Sequence, residues 1–361
     1  MNDQHEGRVA ALRASMSESG LDGLVVSDPS NVFYLSGFRG STGLVLIGLE
    51  QQTLFSDFRY RLQAQEQASD FAFVEVSGGL AAGVGAAARE AGLENLGYDA
   101  ANVTCAQRDK LAEGAEGIAL TDAFGLVEEL RAIKSPEEIE RIRGAAALAD
   151  AALARMVRAL RPGTTERQIA LEGEFLMRHA GAERAAFDVI VASGPRSALP
   201  HAETTNRELT PGDLVVIDIG AVLDGYCSDM TRTFVVKRAS QRAQDVYKLV
   251  YEAQRAGAAA VREGAVCQEV DDIARSRIEA AGYGEHFGHG LGHGVGIDVH
   301  EGPRLANRVE KRLAAGNVVT VEPGVYLEDV GGVRLEDLLV VEADGATTLT
   351  GAPMPPELPV V

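Results

Sequence analysis

The stretch VVIDIGAVLDGYCSDMTRTF, residues 215–234, decides how the rest of the chain is read. Its apolar, β-branched start predicts a strand over 214–222, and Asp218 falls inside it. A carboxylate buried alone in such a run is costly, so it needs a partner, a metal ion or a raised pKa. Asp229 follows a turn containing Gly225, where a returning strand begins. A hairpin of that kind can bring two carboxylates onto one face. On their own, two aspartates fit equally well with a turn cap and a solvated side chain.

The next informative stretch is FGHGLGHGVGIDVHEGPR, residues 287–304. Four of the seven histidines, His286, His289, His293 and His300, fall within fifteen residues. The interleaved glycines allow a close backbone approach, and imidazole is a common metal ligand. Farther on, VVTVEPGVYL (318–327) and GGVRLEDLLVV (331–341) read as neighbouring strands. Each carries one glutamate among apolar residues, Glu322 and Glu336. Arg334 lies two residues from Glu336 and is expected on the same strand face. There it can neutralise carboxylates, hold a substrate or simply satisfy a salt bridge. Four carboxylates and one histidine form a hard, oxygen-rich donor set. Such a set favours Mn²⁺ or a similar ion over the sulfur- and nitrogen-rich structural zinc class. It also exceeds what one divalent ion needs, which points to two bridged ions. Two ions about 3.5–4 Å apart can clamp both the attacking and the developing oxygen.

Composition narrows the alternatives. A chain of 361 residues accommodates two domains, and 46% hydrophobic with 24% charged residues is ordinary for a soluble globular protein. The net charge of -19 argues against a nucleic-acid partner, because a phosphate backbone selects basic surfaces. Most of those acidic residues serve solubility. The N-terminal MNDQHEGRVAALRASM lacks the apolar core of a signal peptide, and no apolar run approaches the ~20 residues that span a bilayer. A cytoplasmic protein without membrane partners is expected. Cys105, Cys227 and Cys267 are odd in number and form no C-x-x-C pair, which speaks against a disulfide framework and a cysteine metal site. All three are expected to be small buried residues. Phosphate-loop, G-x-G-x-x-G, H-E-x-x-H and G-x-S-x-G motifs are absent, so nucleotide enzymes, zincin-type proteases and serine hydrolases lose ground.

Residues 1–130 alternate apolar runs (GLVVS, GLVLIGL, FAFVEV) with helix-like segments at 5–19 and 80–92, the pattern of an α/β domain. A boundary is expected around Arg131–Ser135. Ser135 caps a helix that begins at Pro136, and Glu138 closes its capping box. Over 131–361, helices at about 136–160, 165–180, 240–262 and 267–281 alternate with strand-rich stretches, and no repeat is evident.

The order and spacing of Asp218, Asp229, His293, Glu322 and Glu336 resemble the pita-bread metallopeptidases. The strings DIGAVLDGYCSDMTRTF, HGLGHGVGIDVHEGPR, VEPGVY and GGVRLED are most similar to the Xaa-Pro peptidase branch, which includes aminopeptidase P and prolidase. NVFYLSGFRGS and FSDFRY resemble the creatinase-type N-terminal domain. The resemblance implies an α+β fold: a curved, mostly antiparallel catalytic sheet backed by outer helices, preceded by a smaller α/β domain. It implies two divalent ions, with Mn²⁺ favoured over Co²⁺ or Zn²⁺. Asp229 and Glu336 would bridge them, Asp218 would complete one, and His293 with Glu322 the other. It further implies that Glu322 shuttles a proton, that His201 and His300 contact substrate, and that His289 and Arg334 support the site. Arg304 is the matching candidate for holding a substrate carboxylate. Proline-containing peptides are the implied substrates and a homodimer the implied assembly. An aminopeptidase on Xaa-Pro peptides is the leading expectation, with a strict Xaa-Pro dipeptidase as the alternative; a non-peptidase hydrolase or binding protein on the same fold is a more distant one. The chain has no tryptophan, which some aminopeptidases P place beside the substrate, leaving Phe33, Tyr34, Phe38 or Tyr60 as stand-ins.

Overall fold

The computed structural model describes residues 2–361, which divide in sequence between Arg131 and Ala132 into two compact units. The first is built on a six-stranded sheet. Its strands run in the order Ala72–Glu75, Gln52–Ser56, Leu44–Gly48, Gly23–Val26, Asn95–Asp99, Ala119–Ala123. The central pairings are antiparallel and the outer ones parallel. Val25, Leu46, Phe55 and Leu96 form one apolar core with Val84 and Ala88 of the helix Leu80–Glu90. Several helices here lie outside the sequence expectation, among them Pro29–Ser36 and Cys105–Gly114. Each depends on local capping, by Asp28 and Thr104, more than on an apolar periodicity. Cys105, expected to be buried, is exposed at the start of its helix, whereas Cys227 and Cys267 are buried. Tyr34 and Phe38 are core residues of this unit, as aromatics usually are.

The second unit holds the motifs. Helix Pro136–Met156 starts as its sequence dictates, with Ser135 accepting from the Glu138 amide and the Glu138 side chain returning to the Ser135 amide. Helices Glu166–His179, Gln241–Ala260 and Cys267–Ala280 follow. All ladders between the strands of this unit are antiparallel among the described residues.

The strand expected over 214–222 is broken. It runs from Leu214 to Asp218, stops at Ile219 and Gly220, and resumes at Ala221–Leu223. The first piece pairs with Ile190–Ser193 and Thr231–Val235; the second pairs with Arg184–Ala185 and Tyr226–Cys227. Asp224 and Gly225, with φ of 49° and 82°, make the two-residue turn between them. The chain therefore changes sheet at 219–220 on the way out and at 228–230 on the way back.

The same device recurs downstream. Val318–Val321 breaks at Glu322-Pro323 and continues as Gly324–Leu327; Gly331–Arg334 breaks at Leu335-Glu336 and continues as Asp337–Glu342. Proline has no N–H to give a ladder, so the first break is written into the sequence. Glu322 and Glu336 thus sit in the breaks and not within strands, which corrects the expectation above. Two helices, two short strands and a broken hairpin occur twice in this order, an internal repeat not evident in the sequence. Each helix pair backs its own hairpin: Leu153 and Ile169 meet Val215 and Ile217, while Val250 and Ile278 meet Val319 and Val333.

Candidate metal centre

Regular strands alternate their side chains between two faces. At a break that alternation lapses, and all four carboxylates belong to the breaks: Asp218 at the edge of one, Asp229, Glu322 and Glu336 within the others. His293 comes from the short strand Gly292–Gly294, which pairs with Val318–Val321. All five line one cavity of about 1550 Å³. Donor atoms of Asp218, Asp229 and Glu336 lie within 4.8 Å of one another, and so do those of His293, Glu322 and Glu336. Glu336 is common to these two groups, and donor atoms of Asp229, His293 and His300 make a third at the same spacing.

Neighbouring side chains fix the orientation of these donors. Thr231 donates to Glu336 Oε2 at 2.7 Å and accepts from Arg334 Nε at 3.1 Å. Arg334 Nη2 donates to Asp218 Oδ2 at 2.6 Å, and Nη1 reaches the Tyr326 hydroxyl and the Pro200 carbonyl. Arg334 and Glu336 therefore do serve the same site, although a strand break separates them. His293 Nδ1 lies 3.0 Å from the Gly294 carbonyl, which fixes the proton there and leaves Nε2 with its lone pair toward the site.

The electrostatics call for a cation. Burial, reinforced by Glu336, Asp218 and Glu322, pushes the Asp229 carboxyl well above its ordinary value. Burial with the charges of Glu322 and Asp218 does the same to Glu336. Burial raises Glu322 to about 8, against the pull of Arg334. His293 is lowered by burial to about 4 and is neutral at pH 7. Its Nε2 faces Asp229 at 3.6 Å and Glu322 at 3.4 Å, longer than an ordinary hydrogen bond. Asp218 Oδ1 and Glu336 Oε1 are buried with no hydrogen-bond partner among the described residues. Four carboxylates face the single guanidinium of Arg334, an excess of negative charge greater than one divalent ion neutralises. The residues fit a pair of divalent cations.

The other expected residues divide. His201, His300 and Arg304 line the same cavity and are exposed. The His300 ring lies 4.3 Å, edge-on, from that of His293. His289 also lines the cavity but is turned away from the donors: Nδ1 bonds the Gly290 carbonyl and Nε2 the Tyr326 hydroxyl at 3.0 Å. Burial lowers it to about 4, so as a neutral imidazole it accepts a hydrogen bond from the Tyr326 hydroxyl. His286, counted with the cluster, is exposed on the turn Gly284–His286 and does not line the cavity. Thr231 and Tyr326 were not singled out from sequence, although both lie inside the motifs that carry the ligands. Nothing in a threonine or tyrosine by itself marks it as a partner to a carboxylate.

Comparison with known proteins places this geometry. The chain is 35% identical over 349 residues to the Xaa-Pro dipeptidase of Pyrococcus furiosus, covering 95% of this chain and 97% of that protein. Among solved structures it superposes on an Xaa-Pro dipeptidase from Bacillus anthracis with a TM-score of 0.95 at 38% identity, covering 99% of this chain and 100% of that one. It also superposes on an X-Pro aminopeptidase from Thermotoga maritima with a TM-score of 0.87 at 34% identity, covering 95% and 98%. Residues 8–133 match the creatinase/prolidase N-terminal domain, and residues 140–343 match metallopeptidase family M24. With its carboxylates and histidine gathered at the breaks of two hairpins, the chain belongs to metallopeptidase family M24.

Proposed function

We propose that this metallopeptidase cleaves the bond between an N-terminal residue and proline. The observation that carries it is the convergence of Asp218, Asp229, His293, Glu322 and Glu336 in one cavity. An Xaa-Pro bond has no N–H, so a protease that grips the backbone there loses a hydrogen bond, and a dedicated pocket is needed. Two relatives named as Xaa-Pro dipeptidases shift the balance from the aminopeptidase expected from sequence toward dipeptides. The neighbour named as an X-Pro aminopeptidase, and a cavity several times larger than a dipeptide, keep longer peptides as a second reading.

In this proposal Asp218, Asp229, His293, Glu322 and Glu336 would hold two divalent ions, with Asp218 serving one, His293 and Glu322 the other, and Asp229 and Glu336 serving both. Bound divalent ions would lower the pKa of water and polarise a carbonyl. Glu322, which lines the cavity beside the other donors and is ionised once a cation is bound, would accept a proton from the attacking water and return it to the leaving proline nitrogen. His201 and His300 sit on the cavity wall where they can donate to a developing oxyanion, and Arg304 can hold a peptide carboxylate. Mn²⁺ is the proposed ion because the donors are mostly oxygen. A homodimeric, cytoplasmic enzyme completes the proposal, with sedimentation as the test of assembly. No helix among the described residues is long and apolar enough to cross a membrane.

Chelation should abolish cleavage of an Xaa-Pro dipeptide, and Mn²⁺ should restore it. Undiminished turnover in the stripped protein would contradict the metal assignment. Comparing an Xaa-Pro dipeptide with Xaa-Pro-Yaa should give kcat/KM at least about 10-fold higher for the dipeptide, the discrimination of roughly 1.4 kcal/mol a matched carboxylate contact can supply. The opposite ratio would establish the aminopeptidase.

A further inference from the structure

The segment that delivers His293 is Phe287 to Gly292, in which every second residue is glycine. Such a chain has little side-chain packing of its own to fix its path and loses much freedom when it is ordered. Its restraint comes from helix Cys267–Ala280. Asp271, fully buried, and Arg275, one turn later, form a two-pronged ion pair at 2.7 and 2.9 Å. The remaining valences of this pair all go to the backbone of the glycine-rich segment. Arg275 donates to the Phe287 carbonyl at 3.0 Å and the His289 carbonyl at 2.7 Å; Asp271 accepts from the Leu291 amide at 2.8 Å. The alternate residues 287, 289 and 291 are thus held, and the glycines lie between them. The guanidinium also stacks on the Phe287 ring at 4.2 Å.

The pinned residue Leu291 is also the one that meets the metal centre. Its carbonyl accepts from the Glu322 amide at 2.8 Å, and two residues later the His293 amide donates to Thr320. The pair therefore reaches the backbone leading to both His293 and Glu322 through one residue, Leu291. Among the described residues it bonds none of Asp218, Asp229 and Glu336; Asp218 is held by Arg334 and Glu336 by Thr231.

We propose that Asp271 and Arg275 are positioning residues that set the affinity of the half of the metal centre containing His293 and Glu322, leaving the half containing Asp218 unaffected. This rests on the two-ion assignment of the proposed function. An ion pair that merely stabilised the fold would affect both ions alike or neither.

The test is calorimetric titration of stripped full-length Arg275→Met, Arg275→Lys and Asp271→Asn with Mn²⁺, alongside the Co²⁺ absorption spectrum of each. In folded Arg275→Met, one ion should bind within about twofold of wild type and the other about 10–100-fold more weakly, the usual cost of losing an outer partner. Arg275→Lys keeps the charge and loses the fork, so it should show the same selective weakening to a smaller extent. It decides the matter if the methionine variant does not fold. Two ions bound as in wild type, or both weakened equally, would overturn the clamp alone. A wild-type protein that binds fewer than two ions would overturn the two-ion assignment and the clamp with it.

Discussion

At Glu336 one carboxylate oxygen is bonded to Thr231 and the other has no partner among the described residues, while Asp218 repeats the arrangement with Arg334. Each side chain has one oxygen held by the protein and one left for a ligand. Asp229, raised well above its ordinary value by burial and by three neighbouring carboxylates, gains from a cation. Asp229→Ala should lower kcat/KM by more than about 100-fold at saturating Mn²⁺, the upper end of what losing an outer partner costs. Steady-state kinetics with metal content measured in parallel would show it, and near-wild-type turnover would remove Asp229 from the site. Arg334 bridges Asp218, Thr231, Tyr326 and Pro200, so Arg334→Met strands a buried carboxylate. Loss of about 3–5 kcal/mol in urea denaturation is expected; a loss under about 1 kcal/mol would mean that solvent reaches Asp218.

The helices of the second unit were legible in the sequence because local end signals there accompany an apolar face. Ser135-Pro136-Glu137-Glu138 contains the cap, the first-turn proline and the capping box in four letters. The four carboxylates stood out as charged residues in apolar runs and His293 as one of a histidine cluster, but only the resemblance joined these five candidates into one set. Of the strand breaks, only the one at Pro323 was legible. Residues 214–222 form one apolar run by composition, and the interruption at Ile219-Gly220 is set by contacts with the returning chain, including Ile219 to Met230 and a Gly220 packed on the Ser228 carbonyl. Such pairings over distance leave no local signature. At the same scale, Gly292 lies so close to the Thr320 carbonyl that a methyl group would overlap it. Gly292→Ala should force the His293 strand away from Val318–Val321, costing about 1–3 kcal/mol and weakening metal retention. Thermal melts with and without Mn²⁺ would reveal both, and an alanine variant that retains Mn²⁺ and its melting temperature would show that the strands can separate freely.

For the molecule as a whole, the crowded carboxylates link stability to pH. Glu322 is raised from 4.5 to about 8, so its favourable contribution in the metal-free protein is complete below its unfolded pKa and is lost as pH rises through about 8. His293 and His289 are lowered from 6.5 to about 4, and their contribution is present above 6.5 and lost as pH falls toward 4. The two trends oppose each other below pH 6.5, and above it only the carboxylates act. Metal-free protein should therefore become less stable from pH 6.5 to 8.5, whereas Mn²⁺-loaded protein should not. The gap between their melting temperatures should widen over that interval, and a constant gap would show that the carboxylates are not protonated in the metal-free state.

The two repeats divide the donors unevenly. Asp218 and Asp229 come from the first broken hairpin; Glu322 and Glu336 come from the second, and His293 from the strand beside it. Any ion held by all of them straddles the seam, so it acts as a rivet between two halves that each lack a full set of ligands. Without it, like charges press on that seam from both sides. Metal starvation is then expected to loosen the join before either helix pair melts, exposing the glycine-rich segment to proteases, so that the lifetime of the polypeptide follows the supply of the ion.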